Sequence, residues 1–295
     1  MSGILYIVAT PIGNLSDMTS RAIETLKNAD LIAAEDTRNT MKLLNHFDIH
    51  TKMAANHKFN EHEAVDFFIN KLLNGENIAL VSDAGTPCVN DPGFVLCEAC
   101  RKAGIEVIGI PGACAAVTAL SISGLPSTTF NFKGFFPREK KERLAELEKI
   151  KKNPTETYIF YESPKRILDV MEVIKEELPG AEIALCNDLT KSHEKTYRGN
   201  AESVYSELKN NPNAEKGEYA MVLHYENNEP PEENEQLHAP LSIEAMLIDV
   251  MVKEKCTMKE AIALLSQDAS KSPTGKIPAS KKEIYASSLN LKELF

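Results

Sequence analysis

Short, continuously apolar segments alternate with amphipathic helical segments through the first 124 residues. The apolar segments are residues 4–9, 31–34, 78–82 and 105–110. One of the helical segments between them runs to about Ala29 and has Asp17 as its expected N-cap. Apolar runs without polar alternation are typical of strands buried on both faces, as in parallel sheets covered by helices. The pattern therefore predicts an α/β domain with a parallel sheet over residues 1–124.

A second α/β unit is predicted over residues 125–226. Its strand patterns lie at 130–135, 157–162, 183–186 and 219–225. Residues 227–241 are acidic and contain two consecutive prolines, which indicates a linker. Residues 242–295 hold three helical patterns, and Thr257 and Ser280 each precede a glutamate by three residues, as in a capping box. We expect two α/β domains followed by a small helical module.

The patterns of hydropathy, cysteine and histidine indicate whether the chain crosses a membrane or holds a metal ion. No apolar run reaches the roughly 18–20 residues that span a bilayer. Cys97 and Cys100 form a CxxC inside a helical pattern, without the second pair that a zinc site needs. His57 and His62 lack the HExxH spacing of a zinc hydrolase. We expect a cytoplasmic protein with no membrane contact and no catalytic metal.

The distribution of charge gives two opposed indications about nucleic acid. A formal net charge of -10 argues against a general nucleic-acid binder. The stretch 133–152 is nonetheless basic, and the helical module carries Lys271, Lys276, Lys281 and Lys282. These cations would favour contact with RNA phosphates. Two plainer interpretations stay open: a solvated face for the stretch, and packing against the body or a dimer partner for the module.

Four loops that follow predicted strands carry glycine, proline, hydroxyl or charged residues. They are residues 10–15, 35–38, 83–87 and 111–116. Ligands of open α/β sheets bind beyond the carboxyl ends of the strands, so these loops together predict a ligand site. Neither GxGxxG nor GxxxxGK[ST] follows the first strand, which disfavours a kinase or a dehydrogenase. Taken singly, Gly85 or Gly112 would indicate only a tight turn.

Six motifs, in order and spacing, resemble the ribosomal RNA small subunit methyltransferase I family of the tetrapyrrole-methylase superfamily. They are VATPIGNL at 8–15, AEDTR at 34–38, SDAGTP at 82–87, IPGA at 110–113, FKGFFP at 132–137 and FYESPKR at 160–166. That superfamily lacks the Rossmann fingerprint, so the absence of GxGxxG fits the resemblance. The chain departs from the family at Asn187-Asp188, where Arg-Glu is common before Leu-Thr-Lys.

The resemblance implies a homodimer that binds S-adenosylmethionine in a cleft between the two α/β domains. Carried over by motif, the cofactor-binding residues are Ile12, Asp83, Gly85, Thr86, Val89, Cys114, Ala115, Tyr161, Asn187 and Tyr219. The implied reaction is 2'-O-methylation of a decoding-centre cytidine in 16S ribosomal RNA within the small ribosomal subunit. Two alternatives stay open: a superfamily methylase acting on a corrinoid precursor or a modified protein side chain, and a non-catalytic ribosome-assembly factor.

A ribose hydroxyl must lose its proton during methyl transfer, so charged residues in these motifs are candidate catalytic groups. They are Asp36, Arg38, Glu162 and Lys191. One hypothesis is that Asp36 or Lys191 takes or relays the proton while Arg38 binds a backbone phosphate. The alternative is that Asp36 and Arg38 form an ion pair that only shapes their loop.

Overall fold

Short apolar strands form the first sheet of the computed structural model, which describes residues 2–57, 61–226, 242–267 and 281–292. The strands at Leu31–Ala34 and Ile78–Val81 are buried at every residue. The strands are β1 (Leu5–Val8), β2 (Leu31–Ala34), β3 (Met53–Ala55), β4 (Ile78–Val81) and β5 (Val107–Ile110). Their order is β3-β2-β4-β1-β5, and every pair is parallel. This confirms the predicted parallel sheet, although the short, partly exposed β3 was not predicted.

Helices cover both faces of this sheet, as its apolar strands require. They are α1 (Ser20–Asn28), α2 (Thr37–His46), α3 (Glu61–Leu73) and α4 (Phe94–Ala103). Leu26 and Leu44 pack with Ile32 on one face, while Phe68 and Leu96 pack with Leu80 on the other. Cys100 of the CxxC is buried in this second cluster.

The predicted cap of α1 is wrong by two residues. Thr19 caps the helix, because its extended backbone lets the side chain accept a hydrogen bond from the Ala22 amide at 3.1 Å. Asp17 instead lies in a short 3-10 helix, Leu15–Asp17.

The second sheet is mixed. Its strands are β6 (Phe130–Phe135), β7 (Thr157–Glu162), β8 (Ala181–Asn187), β9 (Lys195–Asn200) and β10 (Tyr219–Tyr225). The order is β6-β7-β10-β8-β9; only β6 and β7 are parallel. One face is covered by α6 (Lys140–Lys152), α7 (Ile167–Glu177) and α8 (Ala201–Lys209).

Helix α5 (Ala115–Ser123) covers the other face of the second sheet. Its small residues Ala116 and Ala119 lie against Ile159 and Ala184, which lets helix and sheet approach closely. The helix precedes residue 125, where the second domain was expected to begin, so this boundary in sequence does not follow the packing. Residues Met1–Asn227 form one compact unit and Asn228–Phe295 another.

Two glycines allow close contacts between the two sheets of the first unit. A Cβ on Gly134 in β6 would lie 2.5 Å from the Asn90 Oδ1 atom, which belongs to the loop after β4. A Cβ on Gly13, after β1, would lie 2.5 Å from the Lys191 Cγ atom, which follows β8. Loops of each sheet therefore contact the other sheet at positions where no side chain fits.

Replacing Gly134 with alanine is expected to lower the free energy of unfolding by about 1–2 kcal/mol, because its φ of 70° is left-handed. The new methyl group also meets Asn90. Urea unfolding measures the change. Gly109→Ala is the matched strand control, because nothing lies within 4 Å of its Cβ position. Equal stability of the two variants would contradict the contact.

The second unit contains α9 (Ile243–Glu254), α10 (Met258–Gln267) and α11 (Lys281–Lys292), close to the three predicted helices. Met246, Leu265 and Ile284 belong to one core that joins them. One half of the predicted capping box at Thr257 is present, since its amide donates to the Glu260 Oε2 atom at 2.8 Å; the Thr257 hydroxyl donates to the same oxygen at 2.7 Å. The predicted linker at 227–241, the cap at Ser280, Lys271 and Lys276 lie outside the described residues.

None of the helices in the described ranges combines the length and the hydropathy that crossing a bilayer requires.

Candidate functional site

A cavity of about 500 Å³ lies between the carboxyl ends of the first sheet and the second sheet. Its size is within the range of small-molecule sites, roughly 300–1,000 Å³. Eight of the ten residues expected to bind the cofactor line it: Ile12, Gly85, Thr86, Val89, Cys114, Ala115, Tyr161 and Tyr219. They come from loops, strand ends and a helix start that span more than 200 residues of sequence, from Ile12 to Tyr219, and the fold brings them together.

Hydrogen bonds hold the loops around the cavity in place. Thr10 and Gly85 exchange two backbone hydrogen bonds, of 2.8 and 3.1 Å, which join the loops after β1 and β4. The Thr86 hydroxyl donates to the Ala113 carbonyl at 3.1 Å, which adds the loop after β5. The cavity is therefore formed by loops that are already connected to one another.

A contact from the second sheet fixes the start of α5. The Ala116 amide donates to the Tyr161 hydroxyl at 3.2 Å, and Tyr161 belongs to β7. Cys114, the N-cap of α5, makes no side-chain capping hydrogen bond. Amides of the first helical turn have no partner within their own helix, so amides at this end of α5 are available to a ligand.

Asp83 and Asn187, the other two expected cofactor residues, do not line the cavity. The Asp83 carboxylate accepts hydrogen bonds from the Asp36 amide at 3.2 Å and the Asn39 side chain at 3.0 Å. Asn187 donates to the Lys216 carbonyl at 3.2 Å and is 8% exposed. Both side chains shape neighbouring loops rather than reach the ligand space.

Asp36 and Arg38 form an ion pair away from the cavity. The Arg38 Nη2 atom lies 2.7 Å from the Asp36 Oδ2 atom, and the Arg38 amide donates to Oδ1 at 2.8 Å. These hydrogen bonds lower the pKa of Asp36 to about 2, so it is a weak proton acceptor at neutral pH. The geometry matches the loop-shaping alternative.

The Glu162 residue lines the cavity, but its side chain is completely buried. Its Oε1 atom accepts from the Ser163 amide at 2.6 Å and from the Arg166 Nε atom at 2.8 Å. The carboxylate thereby holds the turn after β7, which places Ser163 and Pro164 on the cavity wall. A positioning role fits this geometry better than contact with a reacting atom.

Lys191 belongs to a charged cluster and does not itself line the cavity. Its Nζ atom lies 2.7 Å from the Asp188 Oδ1 atom and 2.9 Å from the Glu218 Oε2 atom. Burial alone would lower its pKa, but these hydrogen bonds outweigh that effect and raise it. Lys191 therefore stays protonated and cannot accept a proton at neutral pH. Asp188 lies where the chain departs from the family motif, and its carboxylate is an acidic partner of Lys191.

Asp91 lines the cavity and was not predicted. Burial, followed by the negative charge of Glu35, raises the pKa of Asp91 to about 6; a hydrogen bond from Ser82 lowers it in part. Asn90, with φ 70°, and Gly93, with φ 130°, bend the chain on either side of it. The signal in the sequence was an acidic residue between two turn-forming residues, Asn90 and Pro92, four positions after the end of the recognised SDAGTP motif.

The charged lining residues are all acidic: Asp91, Glu162 and Glu218. Glu162 is paired with Arg166, and Glu218 with Lys191. Asp91 is the cavity-lining carboxylate without an ion pair in the described part of the chain. Such a lining attracts a cationic ligand and repels phosphate, which agrees with the missing phosphate-binding motifs. No group of three or more metal-ligating side chains occurs within the described ranges.

Sequence comparisons identify relatives over most of the chain. The family Tetrapyrrole (Corrin/Porphyrin) Methylases matches residues 4–205. "Ribosomal RNA small subunit methyltransferase I" of Haemophilus influenzae is 44% identical over 269 residues, 90% of this chain and 92% of that protein. The protein of the same name from Bacillus subtilis is 41% identical and covers 96% of this chain and 93% of its own length.

Solved structures share the fold at low sequence identity. A diphthine synthase matches 75% of this chain and 90% of its own, with a TM-score of 0.58 and 12% identity. The methyltransferase CobJ matches 76% of this chain and 95% of its own, with a TM-score of 0.54 and 17% identity.

Methyltransferases of this family use S-adenosylmethionine, whose sulfonium is cationic. The acidic, preformed cavity fits such a donor. The identity over nearly the full length and the shared architecture agree: the chain belongs to the ribosomal RNA small subunit methyltransferase I family, within the tetrapyrrole methylases.

Proposed function

We propose that this chain transfers a methyl group from S-adenosylmethionine to the ribose 2'-hydroxyl of a decoding-centre cytidine in 16S ribosomal RNA. The observation that carries the proposal is the cavity, which the motifs shared with the ribosomal RNA methyltransferases surround and whose charged lining is acidic. When bound there, S-adenosylmethionine supplies an electrophilic methyl group on a positively charged sulfur.

The residues of the chain hold and orient both reactants. The linked loops after β1, β4 and β5 would hold the donor, since Ile12, Gly85 and Ala115 line the cavity. Fixing donor and hydroxyl in line removes much of the entropic barrier to methyl transfer. The aromatic ring of Tyr161, braced at 4.9 Å by that of Phe132, closes the second-sheet side of the cavity.

Asp91 accepts the proton of the ribose hydroxyl. A general base works best when its pKa is close to the operating pH. Of the other acidic candidates, Glu162 and Glu218 are held in ion pairs, and Asp36, Glu35 and Asp83 do not line the cavity. Burial, together with its carboxylate neighbours Glu35 and Asp83, instead keeps the pKa of Asp91 raised.

The substrate is 16S ribosomal RNA within the small ribosomal subunit, which places the reaction in the cytoplasm. The helical module at residues 242–295 contributes to docking on RNA.

The enzyme acts as a homodimer, and exposed apolar side chains such as Phe94 and Val117, 67% and 54% exposed, supply surface for self-association. Sedimentation at several protein concentrations tests this; a monomer at micromolar concentration would contradict it.

The deciding experiment is transfer of radiolabelled methyl from S-adenosylmethionine to small subunits that lack their own methylations, followed by mapping of the label. Label on a cytidine 2'-oxygen at the decoding centre supports the proposal. Label on another RNA atom would overturn the assigned position. No label, despite donor binding in calorimetry, would favour a methylase of a small molecule or protein.

Replacing Gly85 with valine is expected to weaken donor binding by about 10- to 10²-fold, because added carbons in a well-fitted pocket change affinity by about 1–3 kcal/mol. A Cβ at Gly85 would lie 3.3 Å from the Ile12 Cγ2 atom, within the cavity wall. Calorimetry with S-adenosylmethionine measures the effect.

Gly124→Val is the matched control for backbone strain. Gly124 has φ 78°, close to the 83° of Gly85, but nothing lies within 4 Å of its Cβ position. Both variants lose stability from the left-handed backbone, and only Gly85→Val should lose donor affinity. Equal donor affinity in the two variants would place the donor outside this cavity.

A further inference from the structure

Loops beside the cavity carry opposite charge. Those after β2 and β4 bring Glu35 and Asp83 close enough to Asp91 to add to the effect of burial and raise its pKa. In the second sheet, the loops after β6 and β7 bear exposed Arg138 and exposed Lys165, whereas Glu218, before β10, is acidic. A polyanion approaching the cavity is therefore attracted to the loops after β6 and β7 and repelled by the carboxylates elsewhere on its edge.

The two basic loops are neighbours, because β6 and β7 are adjacent parallel strands. The Phe136 amide donates to the Tyr161 carbonyl at 3.0 Å, and the Arg166 Nη2 atom donates to the Phe136 carbonyl at 3.1 Å. Each loop also contributes to the cavity wall, through Phe135 and Pro164. Their exposed cations thus lie within a few residues of the ligand space.

Ion pairing separates the cations of this region into two groups. Lys133, Arg143, Lys149 and Lys151 each pair with a carboxylate. Arg138, Lys140, Lys141 and Lys165 are exposed and form no ion pair with any described residue. The same holds for Lys152, which lies at the far end of α6. The unpaired cations outnumber Glu139 and Glu142 in the same stretch, so the surface keeps a positive charge.

The unpaired lysines do not stabilise the helix that carries them. Lys140 and Lys141 are the first two residues of α6. The positive end of the helix macrodipole lies there, and cations at that end are unfavourable. Binding of an anion from outside the chain explains the positions of Lys140 and Lys141 better than a contribution to helix stability does.

Phe135 adds an exposed aromatic ring to the same surface. It is 54% exposed and lines the cavity, with its ring centroid 6.0 Å from that of Tyr161. The next residue, Phe136, is 1% exposed and packs against Phe160. Exposed aromatic rings beside cations are typical of sites that stack single-stranded bases.

We propose that these five residues form a rim surface that binds a single-stranded RNA segment and delivers the acceptor ribose to the cavity. The rim surface consists of Phe135, Arg138, Lys140, Lys141 and Lys165. A base stacks on Phe135, and the four cations contact backbone phosphates. This inference rests on the proposed function and adds the side from which the acceptor enters.

The test uses the full-length protein and binding to unmethylated small subunits at several salt concentrations. One variant replaces all four cations with glutamine: Arg138→Gln, Lys140→Gln, Lys141→Gln and Lys165→Gln. Four lost phosphate contacts are expected to reduce the slope of log affinity against log salt by about 3, at roughly 0.7 per contact. Phe135→Ala is expected to lower affinity about tenfold or more with an unchanged slope.

The matched control is Lys149→Gln with Lys151→Gln, two paired cations at the far end of the same helix. It should match the wild type in affinity and slope, and both this control and the four-cation variant should bind S-adenosylmethionine normally in calorimetry. An unchanged slope in the four-cation variant would overturn the rim surface. Loss of affinity without a change in slope would indicate a protein contact and also overturn it. A wild type that binds subunits with this salt dependence but methylates no RNA would overturn the proposed function alone.

Discussion

Replacing Asp91 with asparagine is expected to lower kcat by about 10²-fold or more, since a positioned general base contributes roughly 10²–10⁴-fold. Asparagine keeps the size of the side chain and removes its ability to take a proton. Methyl transfer to small subunits at saturating donor measures the change. Donor affinity should fall less than kcat does, because Asp91→Asn removes only an attractive charge, while the loops that enclose the donor stay joined by hydrogen bonds that do not involve this residue.

The pH dependence of turnover tests the same residue independently. The base must be ionised, so wild-type activity should rise with pH and level off above the pKa of Asp91, about 6 before ligands bind. A bound cationic donor lowers that pKa, which moves the inflection to lower pH. Asp91→Asn should abolish this inflection. A variant with normal kcat and weakened donor binding would make Asp91 a donor anchor and contradict its role as the base.

As the pH rises through the pKa of Asp91, the contribution of this residue to folding stability is expected to fall, whereas methyl-transfer activity is expected to rise. The folded-state pKa of Asp91 lies above its ordinary value, so ionisation opposes folding. Its favourable contribution is present at low pH and is lost as the pH rises through about 6. Asp91→Asn should therefore raise the melting temperature at pH 8 relative to the wild type, which also shows that lost activity is not lost folding.

Asp36→Asn is the matched control for removing a carboxylate from the same sheet edge. Asparagine caps helices as well as aspartate does, so α2 keeps its N-cap. Asp36 does not line the cavity and is held by Arg38. Turnover should stay near that of the wild type; a loss as large as that of Asp91→Asn would restore Asp36 as the candidate base.

The first sheet could be predicted from sequence because its main strands are continuously apolar. The strands that were missed carry weaker signals. Strand β3 has three residues, none of them buried, and β9 is an edge strand whose one fully buried residue is Tyr197. Helix α8 was detectable: Asn200 caps it, and Ala201, Val204 and Leu208 line one face.

The cavity could be predicted from the strand-end loops, but the roles of its charged residues could not. The Asp36–Arg38 ion pair was among the alternatives read from the sequence, whereas the protonation of Lys191 and Asp91 depends on partners that only the fold provides. Glu218 pairs with Lys191 from 27 residues away in sequence. Glu35 acts on Asp91 from another strand-end loop. The type of a charged group can be read from the sequence, whereas its pKa depends on neighbours that the fold supplies.

Replacing Arg166 with methionine is expected to lower the free energy of unfolding by about 3 kcal/mol, the lower end of the cost of unpairing a buried charge. The Glu162 side chain is 0% exposed, whereas that of Arg166 is 23% exposed, so solvent moderates the loss. The substitution also removes the hydrogen bond from the Arg166 Nη2 atom to the Phe136 carbonyl. Guanidinium denaturation of the full-length protein measures the change.

Lys102→Met is the matched control, because it breaks an exposed ion pair with Glu98 on α4 and should cost less than about 1 kcal/mol. Adding Glu162→Gln to Arg166→Met removes the unpaired charge and should recover part of the lost stability. Equal, small losses in both single variants would mean that Glu162 is not held as a buried ion. If the double variant regains stability but binds S-adenosylmethionine more weakly than the wild type, the Glu162–Arg166 pair positions Ser163 and Pro164 on the cavity wall as well as stabilising the fold. Recovery of both stability and donor affinity would mean that the pair serves folding alone.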